Sequence, residues 1–128
     1  MKTLWRAANN NYIEQGSSFA PKKSTARLYL DNPGFGGPTL YKTSVDLAKQ
    51  PVLDMTGWKW SDVRRMLDVD TPSGIGIDEW LPRDPKMLDR IRALGYFWAL
   101  VEESYPRGEV TWIWCGNSDD DEPKLEEV

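Results

Sequence analysis

Two apolar stretches near the C-terminus carry the strongest strand pattern in this chain: Phe97-Trp98-Ala99-Leu100-Val101-Glu102 and Glu109-Val110-Thr111-Trp112-Ile113-Trp114-Cys115. Both are rich in β-branched and aromatic residues, which pack well on a pleated surface. The short turn Tyr105-Pro106-Arg107-Gly108 lies between them. Two such runs joined by a turn predict a β-hairpin that closes the domain.

A helix pattern leads directly into this hairpin. Asp84-Pro85 marks its start and Gly95 its end, and between them apolar residues recur at helical spacing: Met87, Leu88, Ile91 and Leu94. A shorter helix is predicted over residues 62–67, with Ser61 as its cap. Residues 68–83, which contain two prolines and two glycines, are predicted to be irregular.

The N-terminal half alternates short extended pieces with loops. Strands are predicted over residues 2–6, 39–46 and 52–55, and a further extended piece ends at Phe19. The strands at 39–46 and 52–55 are expected to share one sheet. Pro21 suits the first turn of a helix that runs to about Leu30. These elements predict an α+β fold with a compact mixed β-sheet core and a few short helices.

Composition restricts the class of protein. The 128 residues fit one domain, 40% of them are apolar, and no apolar run approaches the ~20 residues that cross a bilayer. A single cysteine, Cys115, is expected to be a free thiol, and no histidine is present, which excludes Ser/His and Cys/His catalytic pairs and predicts no metal site. No signal-peptide pattern opens the chain, so we expect a cytoplasmic protein, in a host cytoplasm if it is phage-encoded.

Acidic charge is concentrated at the C-terminus. Residues 119–128 hold six carboxylates against Lys124, a net charge of −5, whereas the whole chain carries −4. The remaining body is therefore near +1, which makes duplex nucleic acid an unlikely partner. We expect a single domain over residues 1–116 and an acidic, disordered tail over residues 117–128.

Three short motifs add chemistry: Arg6 on the first strand, Gly16-Ser17-Ser18-Phe19-Ala20, and Glu109 at the start of the last strand. With Ala26-Arg27-Leu28-Tyr29 and Arg92-Ala93-Leu94-Gly95-Tyr96, they resemble small ADP-ribosyltransferase-fold proteins, such as bacterial toxins and phage effectors, over residues 3–115. Two positions depart from that pattern. Arg107 stands where arginine-modifying members carry Glu or Gln, and Ser17-Ser18-Phe19-Ala20 replaces a Ser-Thr-Ser-like motif.

The resemblance implies a mono-ADP-ribosyltransferase that consumes NAD, needs no metal and modifies a macromolecular acceptor, expected to be a protein. Arg6 would hold the dinucleotide, and Ser17, Ser18 and Phe19 would lie on its nicotinamide side, where Tyr29 stacks. Glu109 would be the catalytic carboxylate that stabilises the oxocarbenium-like centre, with Glu102 or Glu103 as the fallback acid.

Each residue also has an ordinary structural interpretation. Arg6 fits a surface cation at a strand end, Ser17 and Ser18 fit turn or capping hydroxyls, and Phe19 and Tyr29 fit the core. Glu109 fits a solvated strand start. The loop Gly34-Phe35-Gly36-Gly37 lacks the Lys-Ser/Thr of a P-loop and is predicted to be a flexible turn or a lid.

Two other functions remain open. The first is a non-enzymatic interaction or inhibitor protein, which binds a partner through its acidic tail or through a Trp-rich surface. The tryptophans in question are Trp58, Trp60, Trp80, Trp112 and Trp114. The second is an NAD glycohydrolase, in which water replaces the acceptor.

Overall fold

The structure, a computed structural model, describes residues 1–30, 36–104 and 107–128. The strands in these ranges are β1 (Lys2–Ala8), β2 (Ser18–Phe19), β3 (Thr39–Val45), β4 (Val52–Asp54), β5 (Trp98–Glu102), β6 (Val110–Trp114) and β7 (Glu126–Glu127). The α-helices are α1 (Lys23–Arg27), α2 (Trp60–Leu67), α3 (Ile77–Trp80) and α4 (Pro85–Ala93), and a 3₁₀ turn covers Leu81–Arg83. None of these helices combines the length and apolarity needed to cross a membrane.

The C-terminal hairpin forms the centre of a four-stranded sheet with the order β2-β6-β5-β4. β5 and β6 pair antiparallel from Trp98 opposite Trp114 to Glu102 opposite Val110, which confirms the predicted hairpin. Tyr105 and Pro106 of its turn lie outside the described residues. β2 pairs antiparallel with β6, and β4 pairs parallel with β5.

Both faces of this hairpin are buried, because its side chains alternate between two cores. One face contacts the helices: Ala99, Val101, Ile113 and Cys115 lie in one cluster with residues of α2 and α4. The other face carries Trp98, Trp112 and Trp114, which pack in a second cluster with residues of the other sheet. The molecule is therefore an α+β fold in which helices, a mixed sheet and a second sheet form three layers. The α+β class with a few short helices is confirmed, but the strands form two sheets where one mixed sheet core was predicted.

The second sheet has the order β1-β3-β7, and all of its pairs are antiparallel. Backbone hydrogen bonds between Trp5 and Ala20, at 2.9 and 2.8 Å, join β1 to the chain just after β2. The expectation that residues 39–46 and 52–55 share one sheet is wrong. β3 and β4 belong to different sheets because an Asp46 turn redirects the chain between them and Met55 N–H then binds Leu100 O at 2.8 Å.

The helices follow their sequence signals unevenly. α4 begins as predicted, with the Asp84 carboxylate accepting a hydrogen bond from Met87 N–H. α2 begins at Trp60, before the predicted Ser61 cap, because the Asp62 carboxylate accepts from Lys59 N–H at 2.8 Å. The region 68–83 is not wholly irregular: it contains α3 and the 3₁₀ turn, which are too short to show a helical period.

Residues 117–128 lie against the body instead of extending freely. Arg92 donates two hydrogen bonds of 2.9 Å to the Asp120 carboxylate, and Gln50 donates to Asp121 O at 2.7 Å. β7 pairs with β3, and Val128 N–H binds Leu40 O at 2.9 Å. The boundary between a domain and a tail stays a prediction, but these contacts replace the disorder expected from composition. Charge content alone did not show that an arginine on α4 would pair with Asp120.

Two leucines on and beside α4 provide a matched test of the core. Leu88 is 1% exposed and Leu94 is 49% exposed. We expect Leu88→Ala to lower the free energy of unfolding by about 2–5 kcal/mol, because it leaves a cavity between the helices and the sheet. Leu94→Ala should change it by less than about 1 kcal/mol. Urea denaturation measures both, and equal losses would contradict this placement of α4.

The Arg92–Asp120 pair provides a test of how the C-terminal segment is held. We expect Asp120→Asn to speed amide hydrogen exchange in residues 118–127 several-fold, since it removes the charge from a bidentate contact with Arg92. Asp119→Asn is the control, because Asp119 is exposed and has no ion pair with Arg92 in the described structure. Unchanged exchange in Asp120→Asn would show that β7 and the Gln50 contact hold the segment without this ion pair.

Candidate functional site

A cavity of about 170 Å³ lies where β1, β2 and α1 meet the ends of α3 and β5. We call it the polar cavity. Its lining residues are Trp5, Arg6, Ala7, Ser18, Phe19, Ala20, Ala26, Tyr29, Asp78, Glu103 and Thr111. Four residues that the sequence singled out therefore converge here from different elements: Arg6, Ser18, Phe19 and Tyr29.

Arg6 is held with part of its hydrogen-bonding capacity unused. Its Nη1 donates to Ser18 O at 2.9 Å, and its guanidinium carbon lies 5.8 Å from the centre of the Phe19 ring. Its Nε is buried and has no hydrogen-bond partner among the residues that the structure describes. Burial lowers the pKa of Arg6, and the charge of Glu14 partly offsets that effect. Arg6 is therefore a desolvated cation that can still donate a hydrogen bond. It differs in this from the solvated surface cation of the ordinary interpretation.

The small-polar motif divides between structural and cavity roles. Ser17 is 5% exposed, and its Oγ accepts a hydrogen bond from Glu14 N–H at 3.0 Å, which is the turn role considered from sequence. Ser18 lines the cavity. Phe19 does so from the core, where it is 1% exposed and makes an edge contact with Trp98 at 5.4 Å.

Carboxylates face Tyr29 across the cavity. Burial raises the pKa of the Tyr29 hydroxyl, and the negative charges of Glu103, Asp78 and Glu109 raise it further. Tyr29 thus lies near three acidic groups from three separate parts of the chain.

Glu109 precedes β6 and is tied to α1. Lys22 Nζ lies 3.7 Å from Glu109 Oε2, and Thr25 Oγ1 donates to the same oxygen at 3.4 Å. Glu109 does not line the polar cavity, but it is close enough to raise the pKa values of Tyr29 and Glu103. A catalytic role for Glu109 stays a prediction, as do the NAD-binding roles of Arg6, Ser17, Ser18, Phe19 and Tyr29.

Glu103 and Asp78 are the acidic groups inside the cavity. Of the two fallback acids, Glu103 points inward and Glu102 is exposed, as strand alternation requires. Asp78 was missed from sequence because it lies in the region predicted to be irregular. Its two oxygens accept hydrogen bonds from Ser104 N–H and Oγ at 2.8 and 2.6 Å, which hold α3 against the end of β5. The acidic first turn of α3 was the available signal.

The glycine-rich loop has a packing role in its described part. Gly34 and Phe35 lie outside the described residues. A Cβ at Gly36 would collide with the backbone of Tyr29, and one at Gly37 would collide with the backbone of Ala8. Close approach of two backbones therefore explains these two glycines.

The tryptophans do not form a broad exposed surface. Trp98, Trp112 and Trp114 are at most 6% exposed. Trp58, Trp60 and Trp80 are partly buried and pack against the helix-side core. Burial likewise raises the pKa of the Cys115 thiol to about 12, which makes it an unreactive core residue.

The acidic C-terminal segment (residues 119–127) presents charge at fixed positions. Asp119, Asp121 and Glu122 are exposed, while Asp120 is anchored by Arg92, whose guanidinium stacks on Phe97 at 3.9 Å. Hydrogen bonding by Arg92 lowers the pKa of Asp120. A groove of about 580 Å³ runs between this segment and Asp46, Lys49 and Gln50.

Glu103 gives the polar cavity a testable pH dependence. Burial, together with Asp78 and Glu109, raises its pKa from 4.5 to about 7. Glu103 therefore loses its proton at a lower pH in the unfolded chain than in the folded protein. As a result, its contribution to the free energy of unfolding is lost as the pH rises from about 4.5 to 7. We expect Glu103→Gln to remove that loss and so to gain stability relative to the wild type at pH 8. Urea denaturation across this pH range measures how the free energy of unfolding changes with pH. The control is Glu102→Gln, at the exposed neighbouring residue. If the free energy of unfolding changes with pH identically in the two variants, the pH dependence does not come from Glu103.

Comparison with known proteins gives one structural match. No protein-family model and no curated protein sequence matches the chain. A solved structure described as the crystal structure of an anti-CRISPR protein is similar in fold, with a TM-score of 0.52 and 15% sequence identity, and the match covers 98% of this chain and 94% of that one. The resemblance to ADP-ribosyltransferase-fold proteins inferred from the sequence is therefore wrong. None of the comparisons supports it, and over nearly its whole length the chain is similar in fold to an anti-CRISPR protein.

Proposed function

We propose that this protein is a non-enzymatic inhibitor of CRISPR–Cas immunity that acts by binding a macromolecular component of the interference machinery. The observation that carries the proposal is the fold similarity to an anti-CRISPR protein over 98% of the chain. Because fold alone does not define function, such an inhibitor also needs a surface that can bind the partner.

The acidic C-terminal segment supplies that surface. The Trp-rich alternative loses support because Trp112 and Trp114 are buried in the core. Five carboxylates of the segment are exposed, and three of them, Asp119, Asp121 and Glu122, lie on the stretch of backbone that Arg92 and Gln50 hold in place. A held segment loses less conformational freedom on binding than a disordered tail would.

Charge complementarity indicates the kind of partner. Nucleic-acid-guided machinery binds phosphate backbones with lysine and arginine, and such surfaces attract a fixed row of carboxylates. The segment carries a net charge of −5 on a body near +1, so the attraction is local to this edge of the molecule. We infer that the segment occupies a basic surface on the partner protein and blocks its use.

The cellular test is protection of an invading phage. We expect expression of this protein to restore plaque formation on bacteria whose CRISPR–Cas system targets the phage, for at least one system in a panel covering the known types. Failure against every system would contradict the proposed function. With the purified interference complex, inhibition should saturate near one inhibitor per complex, since binding is stoichiometric. Complete inhibition at far lower ratios would indicate an enzyme and overturn the mechanism.

Neutralising the segment tests its role. We expect the triple variant Asp119→Asn, Asp121→Asn, Glu122→Gln to bind the complex at least about tenfold more weakly, and the wild type to lose affinity with added salt. The matched control removes three exposed carboxylates from another part of the surface: Asp68→Asn, Asp70→Asn and Glu79→Gln. Equal losses in both variants would show that net charge, and not this segment, controls binding.

A further inference from the structure

A second cavity, of about 210 Å³, shares Asp78 and Glu103 with the polar cavity. We call it the aromatic cavity. Its apolar lining residues are Met55, Trp58, Ile77 and Val101, and its acidic ones are Asp78, Glu102 and Glu103. It thus combines an indole and a hydrophobic floor with three carboxylates.

The apolar side of the aromatic cavity is built into the core. Met55 and Val101 are 2% and 1% exposed, and Trp58 is partly buried against the same cluster. Backbone hydrogen bonds fix this wall: Met55 N–H binds Leu100 O at 2.8 Å, and Trp58 N–H binds Met55 O at 3.1 Å. The cavity is therefore largely formed before any ligand arrives.

The acidic side lacks positive partners. No lysine or arginine lines the cavity, and in the described part of the chain Asp78, Glu102 and Glu103 are in no ion pair. Asp78 uses both oxygens to hold Ser104, and Glu103 shares a hydrogen bond with Asp78. Glu102, exposed at the end of β5, is therefore the carboxylate available to a ligand. A cation entering here would meet the negative charge of Glu102 beside an aromatic ring.

We propose that the aromatic cavity binds one arginine side chain of the protein partner. Its volume lies below the ~300 Å³ at which small-molecule sites begin, so it suits a single side chain. A guanidinium is planar and weakly hydrated, stacks on indole rings and pairs with carboxylates, whereas an ammonium is more strongly hydrated and a metal ion would find no oxygen on the apolar wall. This inference deepens the proposed function and rests on it only for the nature of the partner.

A model compound tests the cavity without the partner. N-acetyl-arginine methylamide is titrated into the labelled protein, and backbone and indole NMR shifts are followed, with Trp58→Phe used to assign the Trp58 indole signal. We expect saturable shifts at Trp58 and Glu102 with a dissociation constant on the order of 1–10 mM. The citrulline analogue, which has the same shape without the charge, should bind at least about tenfold more weakly.

Two charge variants complete the test. Glu102→Gln should weaken binding of the arginine compound by roughly tenfold. Asp70→Asn, which removes an exposed charge outside both this cavity and the C-terminal segment, should leave binding unchanged. The inference is overturned if no saturable shift occurs, if citrulline binds equally well, or if both variants behave alike. Since phage protection and inhibition stoichiometry are measured separately, failure of this titration leaves the proposed function standing, and failure of those assays leaves the titration result valid.

Discussion

Burial of both faces of the β5–β6 pair is the constraint on which the rest of the structure depends. Trp98 and Trp114 are at most 1% exposed and meet at 5.0 Å in an edge contact, so the indoles fill the space between the two sheets. Ala99 and Ile113, which face the other way, are completely buried against the helices. A strand pair that is apolar on both faces needs two covering layers. Helices from the middle of the chain supply one, and the β1-β3-β7 sheet supplies the other.

This layering brings the polar cavity together. β1 belongs to one sheet and β2 to the other, and the Trp5–Ala20 hydrogen bonds hold them side by side, so that Arg6 reaches Ser18 O. The end of β5 contributes Glu103, and α3 is held over it through Asp78 and Ser104. The resulting site has a desolvated guanidinium and a crowded pair of carboxylates in one small volume. Such charges cost stability when they are buried.

The charge distribution is consistent with the proposed binding function. Positive and negative groups are mixed over the body, whereas the C-terminal segment concentrates carboxylates at one edge. Anchoring by Arg92, which contacts both Asp120 and Phe97, makes this edge part of the fold. The aromatic cavity adds a second acidic feature with defined shape. Local negative charge increases the rate of encounter with a basic surface, while a shaped cavity selects among partners that share that charge.

Residue order alone determined the elements with strong local patterns. The hairpin of β5 and β6, helix α4 with its Asp84 cap, and the strands β1, β3 and β4 follow from periodicity, β-branched content and turn residues, which act over a few neighbours. The resemblance grouped Arg6, Ser17, Ser18, Phe19 and Tyr29 with Glu109. All of these except Ser17 and Glu109 line the polar cavity. What each of them binds did not follow, because the resemblance that suggested NAD found no support in the comparisons.

Only the tertiary structure decided which strands share a sheet, that Ser17 belongs to a turn while Ser18 lines a cavity, and that Asp78 lies beside Glu103. It also decided that the acidic segment is held and that the tryptophans are mostly internal. Apart from the Ser17 turn, whose hydrogen bond reaches only to Glu14, these features depend on contacts between residues far apart in the chain. Examples are Arg92 with Asp120 and Asp78 with Ser104. A local pattern contains no information about such pairs, since their energy comes from burial and charge geometry that exist only once the layers have packed.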